Sequence, residues 1–275
     1  MDVIELEPFT RIYTFYPYND GKLREMINRI SRAHHWAEYE TVKRGYRRAT
    51  IYHVYTRNYD KDIERVFRDG LVWLPILRSR VYQGFSHKHF LVNQIDLNTF
   101  TYGALARNLE DAEEMVKAHT SKGGYTDHAK VGEILGYPKC CVEFFCKVWN
   151  SGIYDPVFEI AMNTDDKEVI SKYEVIVYGH PYLNQLTRYA GLRVVPWFPC
   201  SYMCEESIKQ ANEIWIKLMR EYDDEAVDFY EELMKEKIVW DSLYGVVEVT
   251  IGDKIKILAN TYPRLEKHIV IYQSR

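Results

Sequence analysis

Apolar residues recur at helical spacing from residue 22 onward. Leu23, Met26, Ile27 and Ile30 share one stripe and Arg24 and Arg29 lie off it, so a helix is expected over 22–43, closed by Gly45. Residues 49–56, Ala-Thr-Ile-Tyr-His-Val-Tyr-Thr, are β-branched and aromatic and read as a strand. A helix over 60–68 is stopped by Asp69-Gly70, and 71–77 reads as a buried strand despite Pro75. The stretch 90–102 contributes another strand, with Asn93 and Asn98 marking irregularities.

From Asn108 the period becomes that of helices. Leu109, Ala112, Met115 and Val116 line one face until Lys122-Gly123-Gly124 breaks it. Thr126 is placed to cap a second helix that carries Ala129, Val131, Ile134 and Leu135 and stops at Gly136. Pro138 opens a third, running to about Trp149. Short helices and a strand at 174–178 follow, then a short strand at 192–197 and a helix starting just after Cys200. That helix carries the longest stripe: Ile208, Ala211, Trp215, Leu218 and Tyr222, continued by Ala226, Phe229 and Leu233. Asp223-Asp224 can interrupt it by capping a second helix.

The end is β. Val247, Val249 and Ile251 alternate, as do Ile255, Ile257 and Ala259, and the two sets share a face only if the turn at Gly252-Asp253 has an odd length, most simply three residues. A third strand spans 268–272. The fold class expected is α+β: a mixed N-terminal part (1–103), a helical centre (104–240) and a C-terminal antiparallel β meander (241–275), or all three as one compact domain.

Charge changes this picture in one place. The chain has net charge −4, yet residues 22–90 carry +8, against −3 for 1–21 and −9 for 91–275. Within the basic segment Lys43, Arg44, Arg47 and Arg48, followed by Tyr52, Tyr55, Arg57 and Tyr59, interleave cations with rings, a pattern that tracks phosphates while stacking bases. RNA is therefore the partner this segment suggests, set against the ordinary reading of a solvated basic face. No apolar run approaches the roughly 20 residues of a membrane helix. The start has neither a basic nor an apolar leader region, so a cytoplasmic protein is expected. Five glutamines beside 23 tyrosines resemble the composition of thermophile proteins, among which intracellular disulfides are common. No P-loop, dinucleotide fingerprint, Gly-x-Ser-x-Gly elbow or His-Glu-x-x-His motif occurs.

The candidate chemistry lies in the cysteines. Cys140 and Cys141 follow Pro138 and Cys200 and Cys204 follow Pro199, each pair expected in the first turn of a helix, where unpaired amides and the helix dipole favour thiolate. Spacing of four puts Cys200 and Cys204 on one helical face, whereas adjacent cysteines diverge by about 100° and share an ion only where the turn is distorted. Three readings stay open: the four thiolates bind zinc or an iron–sulfur cluster, they act as redox thiols, or they form structural disulfides in a non-enzymatic RNA-binding or interaction protein. Cys146 reads as a buried residue.

Gly136-Tyr137-Pro138-Lys139-Cys140-Cys141-Val142-Glu143-Phe144-Phe145 and Pro199-Cys200-Ser201-Tyr202-Met203-Cys204-Glu205-Glu206-Ser207 together resemble the signature of a mainly archaeal family of unassigned function. The resemblance covers about residues 108–212. It implies no reaction, only that Cys140, Cys141, Cys200 and Cys204 belong to one site. His128 and His180 are the nitrogen ligands or bases to test beside them. His34-His35 and His87-Lys88-His89 read as solvated, and Asp165-Asp166 as a helix cap.

Overall fold

The computed structural model describes residues 10–11, 14–16, 21–80, 85–86, 99–121, 126–153, 155–253, 255–260 and 266–273. Two short strands, β1 (Thr10–Arg11) and β2 (Thr14–Tyr16), precede helix α1 (Gly21–Lys43). Strand β3 (Ala49–Tyr55), helix α2 (Tyr59–Arg68), strands β4 (Val72–Arg80), β5 (Phe85–Ser86) and β6 (Thr99–Ala106), and helices α3 (Leu109–His119), α4 (His128–Ile134) and α5 (Lys139–Asn150) follow. Helix α6 (Val157–Met162) leads into hairpin β7 (Lys167–Ser171) and β8 (Glu174–Gly179). Helices α7 (Glu205–Gln210) and α8 (Ile216–Met234) flank a π-helical turn, Ala211–Trp215. Strands β9 (Ile238–Leu243), β10 (Val246–Ile251), β11 (Ile255–Asn260) and β12 (Lys267–Gln273) complete the chain. The class is mixed α+β, as expected.

The chain divides into two compact units, one of residues 1–34, 83–88 and 147–275, the other of 35–82 and 89–146. The second holds the antiparallel sheet β3-β6-β4. Ala104 and Ala106 of β6 pack with Ala112, Met115, Val131 and Ile134 of α3 and α4 in one buried cluster. Gly103 of β6 makes room for the neighbouring strand: an added Cβ there would meet the Trp73 ring of β4 at 2.4 Å. Pro75 coincides with a register shift in β4, the irregularity a strand needs where an amide donor is missing.

The larger unit is built on a seven-stranded sheet of order β2-β11-β10-β9-β12-β8-β7. The turn between β10 and β11 has the three residues that the alternation requires, so Val247 pairs Ala259, Val249 pairs Ile257 and Ile251 pairs Ile255, all buried. Strand β12 lies beside β9, antiparallel, and beside β8, parallel, rather than completing a simple meander with β11. The sequence reading does not anticipate β9, which turns into β10 through Tyr244 and Gly245, both at positive φ as a two-residue hairpin requires.

Several expectations are corrected. Residues 192–197 form no strand. They are an irregular segment whose carbonyls are met by side chains: Thr187 Oγ1 donates to Leu192 O (2.8 Å), and His34 Nδ1 lies 3.1 Å from Val194 O. Asp165-Asp166 leads into strand β7 and caps no helix. Helix α4 is capped by Asp127, which accepts the Lys130 amide at 3.0 Å, and not by Thr126. Leu109 sits at the first position of α3 and is 53% exposed. The stripe of α7–α8 is shifted by the π turn, so Tyr222 is exposed while Met219, Val227 and Tyr230 are buried. Asp223 does interrupt α8: its φ/ψ is non-helical, its carboxylate caps Ala226 N at 3.1 Å, and it receives Arg29 Nε and Nη2 at 2.7 and 2.6 Å. Of the strand expected over 90–102, residues 90–98 lie outside the described residues, as do Lys122-Gly123-Gly124 and His87-Lys88-His89.

Candidate metal centre

The first cysteine pair is placed by a corner between two helices. Gly136, at φ +68°, ends α4: its amide donates to Glu133 O (3.0 Å) and that of Tyr137 to Gly132 O (3.0 Å), the paired bonds of a Schellman motif. Proline two residues later cannot continue α4 and starts α5 at once. The Pro138 carbonyl accepts both Cys141 N (2.9 Å) and Val142 N (3.0 Å), a tightened first turn that holds the vicinal Sγ atoms 3.9 Å apart. Gly132 lets α5 lie close, since a Cβ there would meet Val142 Cγ2 at 2.6 Å. Each residue of Gly-Tyr-Pro-x-Cys-Cys thus has a geometric task.

The second pair is presented differently from expectation. Helix α7 begins at Glu205 with Cys204 as its N-cap, so Cys200 precedes the helix, and the two thiols are brought together by a turn and not by a shared helical face. Ser201 Oγ accepts Met203 N at 3.0 Å, and Cys204 N donates to Ser201 O at 3.1 Å. Three more distant residues hold the turn. Thr164 Oγ1 accepts Tyr202 N (3.0 Å), Asn163 Nδ2 donates to Cys200 O (2.7 Å), and Tyr202 O accepts His180 N (2.9 Å). The Tyr202 ring is fully buried, with its hydroxyl donating to Val157 O at 3.2 Å. Beside it Gly179 leaves room that a Cβ would fill, 2.9 Å from Tyr202 Cβ. Sequence reasoning missed Thr164, Asn163 and Gly179, which carry no motif of their own; the tyrosine inside Pro-Cys-Ser-Tyr-x-Cys was the available signal.

The Sγ atoms of Cys140, Cys141, Cys200 and Cys204 all lie within 4.8 Å of one another. Cys141 and Cys204 are buried, at 1% and 8% exposure, Cys200 is half-buried, and Cys140 is the most accessible. None of the five cysteines is a disulfide half; Cys146 stands outside the quartet, partly buried, with its thiol pushed up by burial. Four sulfurs at this spacing could serve one metal ion as its donor set. A central ion with metal–sulfur bonds of about 2.3 Å would set the sulfurs roughly 3.8 Å apart, so the quartet need contract by no more than about 1 Å.

Among the described residues the metal-competent group contains no histidine. His128 meets the Phe145 ring edge-on at 5.5 Å, and His180 Nδ1 accepts Tyr182 N at 3.3 Å; burial pushes both imidazoles below the usual histidine range. His34, read as solvated, is buried: Arg193 Nε donates to its Nε2 at 3.1 Å and the ring stacks on Trp215.

The basic segment is largely engaged within the chain. Lys43 pairs with Asp69 at 3.2 Å, Arg44 with Glu40 at 2.9 Å, and Arg48 with Asp111 at 2.6 Å and with Glu114. Arg47 is 6% exposed, donates Nε to Leu135 O at 2.6 Å and lies over the Tyr137 ring. There it satisfies the carbonyl end of α4. Tyr52 is half-buried and packs against the Tyr39 and Leu105 cluster; Arg57 is exposed, lies over the Tyr55 ring and meets no carboxylate among the described residues. Among the described residues no helix is long and apolar enough to cross a membrane.

A family model described as a protein of unknown function (DUF483) matches residues 113–234, a span that contains all five cysteines, and this part of the chain is similar to that family. No curated protein and no solved structure matches the chain.

Proposed function

We propose that this is a metal-binding protein in which the thiolates of Cys140, Cys141, Cys200 and Cys204 hold a single tetrahedral ion, zinc. The observation that carries the reading is the mutual 4.8 Å limit on the four sulfurs. It favours one ion over the iron–sulfur cluster, because a cluster adds metal–metal separation between thiolates bound to different irons and spreads them farther than a mononuclear site does. The all-sulfur donor set suits zinc. Because four cysteines fill a tetrahedron, the ion keeps no open position for substrate, which makes the site structural: it contributes folding free energy.

Metal analysis of protein purified anaerobically, joined to its visible spectrum, tests this. One zinc per chain and no visible absorption are expected, with loss of the zinc in Cys141→Ser and Cys204→Ser and its retention in Cys146→Ser. A brown protein with several irons per chain, or a metal-free protein that takes up none, would overturn the reading. The RNA reading of the basic segment draws no support from the placement of Lys43, Arg44, Arg47 and Arg48 described above.

A further inference from the structure

We propose that the quartet is a peroxide-sensitive latch, in which Cys140 is oxidised first, Cys200 resolves it, and the ion is released. This rests on the zinc reading and adds to it a regulation of the same site. Its ground is the uneven exposure of the four residues. Cys141 and Cys204 are buried, whereas Cys140 is the most accessible and stands at the second position of α5, next to Lys139, whose side chain is 91% exposed. An oxidant in solution therefore reaches Cys140 and Cys200 before the buried pair, and of these two Cys140 lies at the amide-rich end of a twelve-residue helix beside a cation, the surroundings in which cysteine reactivity concentrates.

The partner follows from geometry. Consecutive Cα atoms are about 3.8 Å apart, below the roughly 4.4–6.8 Å that a disulfide spans, so a Cys140–Cys141 bridge would break the first turn of α5. Cys204 caps α7, and its carbonyl accepts Ile208 N at 2.9 Å. Cys200 is half-buried, lies in the turn ahead of that helix, and has its Sγ within 4.8 Å of the other three. It is the sulfur that can move with least loss of structure.

The chemistry balances as two displacements. The Cys140 thiolate attacks hydrogen peroxide; an S–O bond forms, the O–O bond breaks, and hydroxide leaves and takes up a proton. The Cys200 thiolate then attacks the sulfenic sulfur; the S–S bond forms, the S–O bond breaks, and a second hydroxide leaves. Two thiolates lose two electrons in total and one peroxide becomes two waters, while zinc, which keeps its charge, loses two of its four ligands and dissociates. A thiol reductant of the dithiol class restores the thiolates and the site.

The test begins with metal content, so that the two proposals fail separately: protein that binds no zinc overturns the site itself. Zinc-loaded full-length protein is then treated with one equivalent of hydrogen peroxide in the presence of a chromophoric chelator, and its cysteines are mapped by alkylation and peptide mass spectrometry. One zinc released per chain, a peptide linking Cys140 to Cys200, and rebinding of zinc after reduction are expected. In Cys200→Ser, a sulfenic-acid probe should label Cys140 and no cross-link should form; if that variant does not hold zinc, the map of the wild-type protein still decides. Retention of zinc under peroxide, or a first-formed bridge that omits Cys140 or Cys200, would overturn the latch while leaving the metal site standing.

Discussion

Gly132 and Val142 face each other so closely that a single methyl on the glycine would lie 2.6 Å from Val142 Cγ2. Gly132 is in a helix, where alanine would ordinarily gain about 1 kcal/mol in propensity. Overpacking costs about 1–3 kcal/mol, and Val142, β-branched in a helix, has little rotamer freedom with which to yield. The clash wins. Gly132→Ala should lower the thermal midpoint and weaken zinc binding by moving the first turn of α5, and Val142→Ala in the same chain should restore both. Calorimetry and zinc competition titration of the two single variants and the double variant would show the coupling; additive effects would mean that the corner is not held by this contact.

Thr164 offers a cleaner test of the second cysteine turn. Its hydroxyl is fully buried, donates to Ile160 O at 2.8 Å and accepts Tyr202 N at 3.0 Å. Thr164→Val keeps the shape and removes the acceptor, leaving a buried amide unsatisfied at a cost of about 1–3 kcal/mol. The expected result is an unfolding free energy in urea lowered by that amount and weaker zinc affinity, whereas Ser201→Ala, which removes the local bond from Met203 N and a long 3.4 Å bond to Thr164 Oγ1, should affect affinity less. Equal zinc affinity in Thr164→Val and wild type would show that the turn does not need this support.

What was legible in the sequence was local. The three-residue turn followed from the parity of Val247 to Ile251 against Ile255 to Ala259, and the helix corner from Gly136 and Pro138, because each depends on residues only a few positions apart. The cysteine quartet was legible as residue types in matching proline-led contexts. The conformation of residues 200–204 was not, because Thr164, Gly179 and His180 set it from 20 to 40 positions away. Residues 192–197 have strand-like composition, but their carbonyls are satisfied by Thr187 and His34, so no ladder is needed. The ion pairing of the basic segment was hidden for a related reason: the carboxylates that pair with Arg48 lie more than 60 residues along the chain.

Arg47 and Arg57 separate a structural cation from a surface one. The bond from Arg47 to the Leu135 carbonyl is buried and charge-assisted, worth about 1.5–3 kcal/mol. Arg47→Met should destabilise the protein by an amount in that range and disturb the helix corner that carries Cys140 and Cys141, while Arg57→Met at an exposed site should stay within about 0.5 kcal/mol of wild type. Chemical denaturation of both variants checks this.

Acid should destabilise the protein before its carboxylates titrate. His128 and His180 are held below the ordinary histidine value of 6.5 by burial, so the unfolded chain takes up protons that the folded chain refuses. Their contribution is therefore fully present above about pH 6.5 and is lost as the pH falls through that value toward the lower pKa of the folded state. Protonation of His180 at Nδ1 would also cost the bond it accepts from Tyr182 N. Thiolate protonation releases metal over acidic pH as well, but that loss is common to wild type and to a His128→Gln, His180→Gln double variant, and drops out of their difference. Urea midpoints measured between pH 7.5 and 5.5 should fall more steeply in wild type than in the double variant. Parallel curves would mean that both imidazoles titrate alike in the folded and unfolded chain.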